Sequence, residues 1–441
     1  MKNLINHSQK IIQQAIQSVK PDILVQKKVH LKGSLLNIAQ MEVNLDLYKN
    51  IFVIGAGKAS AVMAQALENI LGERITSGCV SVKYHHTVPC KKIRILESGH
   101  PLVDLNSIKA TGEILQIAQN LTSDDLVICL ISGGGSALLE SLPENISLKD
   151  LQITFDLLLR SGANIVEVNT VRKHISRVKG GQLARAIAPA TCISLILSDV
   201  IGDPLEAIAS GPTAADPTTF LDAWEVMEKY DLIEKLPGPV IAHLEKGRKG
   251  LIPDTIKRDD PILKKVKNII LGNNNEALHG AKKAATELGY STLILTSRVQ
   301  GEAREVAKVL ASVAQEIQIN HTPESPPACI LMGGETTVTI KGKGKGGRNQ
   351  ELALAALICM AEVQYPYLIV SVGTDGTDGP TDAAGGMAYP EMWLSAQQKQ
   401  LNPQHYIKNN DSYHFLEITG GLIKIGPSGT NVMDIMFALI P

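Results

Sequence analysis

Apolar residues recur along this chain in two rhythms. Short unbroken runs, such as Ile51 to Ile54, Leu126 to Ile131 and the T-C-I-S-L-I-L stretch ending at Leu197, stop at a glycine or an acid. Runs of this kind predict strands buried on both faces, as in parallel sheets covered by helices. Between them come segments of helical period: Ile11, Ile12, Ala15, Ile16 and Val19 share one face, a helix is expected from about Ala59, and residues 145–188 read as helical. The alternation restarts after residue 261 with N-I-I-L-G, S-T-L-I-L-T-S, C-I-L-M-G-G-E and L-I-V-S-V-G, plus a strand-like T-T-V-T-I and a helix-like E-L-A-L-A-A-L-I. Strand, glycine turn and helix in repetition predict an α/β fold with ligands at the carboxyl ends of the strands.

With 441 residues the chain exceeds what one core usually serves. Pro237, Gly238, Pro239, Gly247, Gly250 and Pro253 mark a surface connection, which divides it into two α/β domains, 1–245 and 262–441. The first reads as a Rossmann-like parallel-sheet domain. A net charge of −1 gives no global field for nucleic acid or an anionic membrane. The six cysteines stand in apolar runs, as buried thiols of a reducing compartment do, and no segment reaches a membrane span, so a cytoplasmic protein is expected.

The chemistry concentrates in turns. Lys341 to Glu351, K-G-K-G-K-G-G-R-N-Q-E, holds four cations and four glycines just before a helix. Cations and close-approaching backbone at a helix start suit phosphate or carboxylate oxygens; a solvated hairpin tip is the plainer alternative. In G-A-G-K-A-S, Lys58 opposes a helix dipole, which points to a role other than stability; a solvated turn lysine is the plainer alternative. The turn matches neither a dinucleotide fingerprint, since the next strand ends in Lys83 rather than an acid, nor a Walker loop, since Ala59 follows the lysine. Ser132, Gly133, Gly134, Gly135 and Ser136 offer backbone N–H groups and hydroxyls for nucleotide phosphates. Lys173 follows Asn169 by one helical turn, His100 and Asp104 stand in a polar turn, and Glu335 closes a strand one step before the basic loop. Asp199, with Asp203 and Glu206 behind it, ends the third strand, and Asp375, Asp378 and Asp382 lie in a glycine-rich loop. Carboxylates so placed suit Mg²⁺ or a general base, with turn capping as the competing role.

The motifs G-A-G-K-A-S, S-G-H-P, S-G-G-G-S-A-L, N-T-V-R-K-H-I-S, S-D-V-I-G-D, G-G-E-T-T-V, K-G-G-R-N-Q-E, G-T-D-G-T-D-G-P-T-D-A-A-G and G-T-N-V-M-D run in order over nearly the whole chain. As a set they resemble the class II glycerate kinases, whose C-terminal half carries the MOFRL domain and which were often called hydroxypyruvate reductases. Val103 departs from the pattern, where the family usually shows proline. The resemblance implies a smaller MOFRL-type second domain, an active site in the cleft between the two, and ATP-dependent phosphorylation of D-glycerate to 2-phosphoglycerate with Mg²⁺. It also implies catalytic roles for Lys58, Arg348 and Asp199. Ser132 to Ser136 with Lys173 and Glu335 are then the expected cofactor-binding residues, and Asp375 and Asp378 the expected metal ligands. Small-molecule partners alone are expected, glycerate and ATP, in a monomer or homodimer. Which cation meets which anion stays open. Two rivals remain: a nicotinamide-dependent hydroxypyruvate reductase and a non-catalytic phosphometabolite-binding protein.

Overall fold

A computed structural model describes residues Met1–Pro441 and divides them into two compact units. One comprises Leu24–Ser198 and Asp203–Leu271; the other comprises Met1–Ile23, Asp199–Gly202 and Gly272–Pro441.

The first unit is built on a six-stranded sheet whose spatial order is Ile93–Ser98, Ser77–Lys83, Asn50–Ala56, Asp125–Ile131, Thr191–Leu197, Val266–Gly272. Numbered by position in the chain this is 3-2-1-4-5-6, the doubly wound dinucleotide-fold order, and the four pairings among its first five strands are parallel. The Asp125–Ile131 strand is buried at every position, as its unbroken apolar run requires. The expected continuous helix over 145–188 is three helices, Leu148–Arg160, Ile165–His174 and Gln182–Ile187. Asn164 caps the second by accepting from the N–H groups of Val166 and Glu167, which ends the first run and restarts the turn.

The second unit carries a mixed six-stranded sheet, ordered Ser291–Val299, Ala328–Gly334, Asp434–Ile440, Leu368–Gly373, Gly385–Ala388, Leu422–Ile423. Its first pair is parallel, whereas the chain's last strand runs antiparallel between Ala328–Gly334 and Leu368–Gly373. This register sets Asp434 opposite both Gly334 and Gly373, at the ends of two strands. The helix Arg348–Cys359 is buried over Asn349–Leu357. The T-T-V-T-I stretch expected as a strand makes only a single bridge, Glu302 to Thr337.

Two elements fall on the other side of the expected boundary. The strand Val266–Gly272 is the edge of the first sheet, only half-buried along most of its length, which is why its apolar run read like the opening of a new domain. The helix Lys2–Ser18 packs on Asn274–Glu287: Ser18 Oγ donates to the Glu276 carbonyl at 3.1 Å, and Gly280 leaves room for that hydroxyl. A face of isoleucines declares that a helix needs a partner without naming it. All six cysteines are free thiols. No helix is long and apolar enough to cross a membrane.

Candidate active site

In open α/β sheets ligands bind outside the strand ends where the strand order reverses. Here that point lies between Asn50–Ala56 and Asp125–Ile131, whose turns carry Lys58 and the S-G-G-G-S run. The two turns are tied together: Ser132 N donates to the Ala56 carbonyl at 3.2 Å and Lys58 N to the Gly133 carbonyl at 2.9 Å. Gly57, at φ +145°, admits no side chain, since a Cβ there would lie 2.1 Å from Ser132 Oγ. Gly134, at φ +82°, has a ring and an amine above it: a Cβ would meet His100 Cδ2 at 2.9 Å, His100 Nε2 at 3.0 Å and Lys58 Cε at 3.2 Å. Lys58 and His100 are thus neighbours over the middle glycine, both half-buried. Burial, then the charges of Lys58 and Lys83 and the His86 ring, push His100 down to about 4.

The structure redistributes several expected roles in this turn. The buried Ser132 hydroxyl accepts from Ala59 N at 3.1 Å and meets Ser60 Oγ at 3.0 Å, so it shapes the turn rather than facing outward. Ser136 Oγ lies 2.8 Å from Ser210 Oγ. The helix expected after the glycines is one turn, Gly135–Leu138, too short for an appreciable dipole. Gly135 N donates to the Ser132 carbonyl at 3.2 Å, so of the three glycines it is the half-buried Gly134 that is left as a point of close approach, without a helix behind it. Lys173 is not presented to a cofactor: it is buried, with Nζ 2.5 Å from Asp216 Oδ1. Thr218 donates to the same oxygen through N and Oγ1. The helix face that would have offered Lys173 with Asn169 turns inward at the lysine, and Asn169 accepts from Arg172 instead. Directly behind the turn, fully buried Lys179 and Glu140 pair at 2.7 Å, and Lys179 also donates to the Leu139 carbonyl.

In the second unit, the strand ends at Gly334 and Gly373 and the start of Asp434–Ile440 gather a cluster around Arg348. Its Nε and NH2 form a two-pronged pair with Asp434 at 2.6 and 3.0 Å, and its NH1 reaches Glu335 Oε1 at 2.6 Å. Asn349 Nδ2 also donates to Asp434, at 3.0 Å, and Ser371 Oγ holds the Asn349 carbonyl oxygen. Burial opposes the Arg348 charge, yet Asp434, then Glu335 and Asp378, hold its pKa above the ordinary arginine value. Glu335 is raised by burial, against the pull of Arg348 and with the like charges of Asp434, Asp199 and Asp375. Five carboxylates, Asp434, Glu335, Asp378, Asp199 and Asp375, thus act on the space around one guanidinium, an arrangement that favours a cation or a cation-bound phosphate.

Asp378, expected as a metal ligand, is instead the cap of the helix Arg348–Cys359. Its Oδ1 accepts from Asn349 N at 3.2 Å, and its Oδ2 from Gln350 N and Gln350 Nε2, both at 2.9 Å. Burial raises its pKa, with those two backbone N–H groups opposing. Asp375 Oδ1 closes a turn onto Thr377 N at 3.0 Å, while its Oδ2 carries no hydrogen bond. Asp382 pairs with Lys424 at 2.8 Å. No group of three or more His, Cys, Asp or Glu side chains is assembled to enclose a metal ion.

The basic loop is explained by packing. A Cβ on Gly342 or Gly344 would lie 2.1–2.3 Å from atoms of Asn409 and Asp411. The N–H groups of Lys341, Gly342, Lys343 and Lys345 donate to the side-chain oxygens of Asn410, Asn409 and Asp411. Those four N–H groups are therefore engaged by protein, and Gly342 and Gly344 lie where Asn409 and Asp411 leave no room for a side chain. Two members of the clusters carried no role in the sequence: Asp434, an acid opening an apolar run, and His100, placed only in a polar turn. The signal for each was an ionisable residue at a strand end or turn; what it lacked was a partner.

Comparison with known proteins places these clusters in a family. Residues 7–245 match the model of a domain of unknown function, DUF4147, and residues 328–434 match the MOFRL family. The chain is 43% identical to the Glycerate 2-kinase of Pyrococcus horikoshii over 98% of its own length and 96% of that protein's. It is 40% identical to the D-glycerate 2-kinase of Thermotoga maritima, over 98% and 97% of the two chains. Among solved structures, the Thermotoga maritima glycerate kinase superposes with a TM-score of 0.89 at 38% identity, covering 100% of both chains. With relatives this similar along its whole length, the chain belongs to the MOFRL-containing glycerate kinase family.

Proposed function

We propose that this chain transfers the γ-phosphoryl group of ATP to the 2-hydroxyl of D-glycerate, giving 2-phosphoglycerate and ADP. The observation that carries the reading is Lys58, free of any carboxylate partner, standing over a glycine turn at the point where the parallel sheet's strand order reverses. Phosphoryl transfer asks the protein chiefly for positioning and for charge on the moving group. Lys58 supplies such a charge in the first unit, and the second unit carries by itself the Arg348 cluster, whose geometry Asp434 and Glu335 dictate. Mg²⁺ commonly takes one or two carboxylates and fills its remaining positions with substrate phosphates and water. Asp375, with its unengaged Oδ2, fits that demand, with Asp199 and Glu335 adding negative charge nearby. When bound, the ion would neutralise charge on the nucleotide phosphates.

One relative, a Putative hydroxypyruvate reductase of Agrobacterium vitis, is 40% identical over 88% of this chain, so the reductase reading is tested beside the kinase. Against it, the second strand ends at Lys83, where a ribose-binding acid would be needed. The test measures ADP release from ATP with D-glycerate and, separately, NADH absorbance with hydroxypyruvate. Phosphorus NMR of the product then distinguishes 2- from 3-phosphoglycerate. ADP release with only the 3-phosphate would overturn the position assigned, and NADH oxidation without ADP release would overturn the kinase.

A further inference from the structure

Resting on that kinase reading, we propose that His100 is the catalytic base, its Nε2 accepting the proton of the glycerate hydroxyl as the oxygen attacks the γ-phosphorus. The Cδ2 and Nε2 edge of the ring faces Gly134, and Lys58 Cε lies over the same glycine. The ring therefore shares its space with the cation assigned to the moving phosphoryl group, at the switch point of the sheet. Neither ring nitrogen is hydrogen-bonded within the protein. By contrast His174, which is fully buried, has both nitrogens engaged, with the Thr170 carbonyl and Asp254.

The groups facing His100 all disfavour a second positive charge: Lys58 on the turn after the first strand, and Lys83 and His86 at the end of the second. The ring is accordingly neutral at physiological pH, with one nitrogen available to accept. A general base must stand within hydrogen-bond reach of the proton it takes and be unprotonated at working pH. In the step, a P–O bond forms between the glycerate oxygen and the γ-phosphorus while the bond from that phosphorus to the β–γ bridging oxygen breaks. The hydroxyl proton passes to His100 Nε2, and ADP leaves with the bridging electron pair. The imidazolium so formed lies beside the dianionic phosphoryl group of the product and returns its proton to water after release. Its transient charge is offset by the phosphoryl oxygens that Lys58 also meets.

The test compares wild type with His100→Gln and His100→Asn in the full chain, by ADP release and by thermal melting. The expected result is a kcat lowered by about 10²-fold or more, as for loss of a general base, with KM for glycerate changed far less and with cooperative melting retained. Imidazole added to His100→Ala is expected to restore part of the rate, increasingly so as pH rises through the imidazole pKa. A variant with normal kcat, or one with raised KM alone, overturns the assignment and leaves the kinase reading standing. A wild-type protein that releases no ADP with glycerate instead removes the reading on which it rests. Should both substitutions fail to fold, imidazole rescue of His100→Ala in protein expressed and refolded at low temperature decides, and lack of rescue there counts against the base.

Discussion

Two residues of like charge are held in opposite ways. Lys58 projects from its turn with no acidic partner, whereas Arg348 is clamped by Asp434 and Glu335. Their removal is expected to separate accordingly. Lys58→Ala should lower kcat/KM by about 10²-fold while leaving the melting temperature nearly unchanged, as for loss of one transition-state contact. Arg348→Ala should cost both activity and stability. It strands Asp434, which is fully buried, and breaking one side of such a pair costs about 3–5 kcal/mol. Urea denaturation beside steady-state kinetics checks the pair; a stable Arg348→Ala protein would show that Asp434 finds another donor.

At the scale of the element, the helix Arg348–Cys359 depends on an acid that lies 28 residues or more beyond its first turn. Asp378→Asn should reduce stability by about 1–2 kcal/mol through loss of the cap, with the Mg²⁺ concentration for half-maximal activity unchanged. Asp375→Asn should do the reverse, raising the Mg²⁺ requirement with a small change in melting temperature. A metal titration of both variants distinguishes the roles, and identical behaviour would merge them. The turn bearing His100 has its own pH signature. Its folded pKa, about 4, lies below the ordinary value of 6.5, so the unfolded chain binds the extra proton between these limits. Its contribution is fully present above pH 6.5, and is lost as pH falls toward 4. Melting curves of His100→Gln should therefore show a flatter decline across that window than wild type, since the other titrating groups are common to both.

Across the whole molecule, the two ends of the chain belong to one unit. Thr430 Oγ1 donates to the Val19 carbonyl at 2.7 Å, and His7 meets Tyr290 at 2.8 Å. Ile11→Ala, at a fully buried position, should cost about 2–5 kcal/mol, and hydrogen exchange should quicken along Asn274–Glu287, against which its helix packs. Unchanged exchange there would mean that the amino-terminal helix is dispensable to the unit.

What the sequence determined by itself was local. Apolar runs too continuous to alternate faces made the parallel strands legible, glycine turns marked their carboxyl ends, and Lys58 stood out because a cation there opposes a helix dipole. The order of motifs along the chain was enough for the family. The tertiary structure decided everything that depends on a partner distant in sequence. It turned Lys173 toward Asp216, gave Asp378 to a helix cap, explained the glycines of the basic loop by Asn409 and Asp411, and set Asp434 against Arg348. It also put the first helix and the strand Val266–Gly272 on the far sides of the expected boundary. The physical reason is common to all of these: charge and hydrogen-bonding capacity are written in a residue's type, but whether they are spent on the protein or left for a ligand depends on which other groups folding brings within about 3 Å.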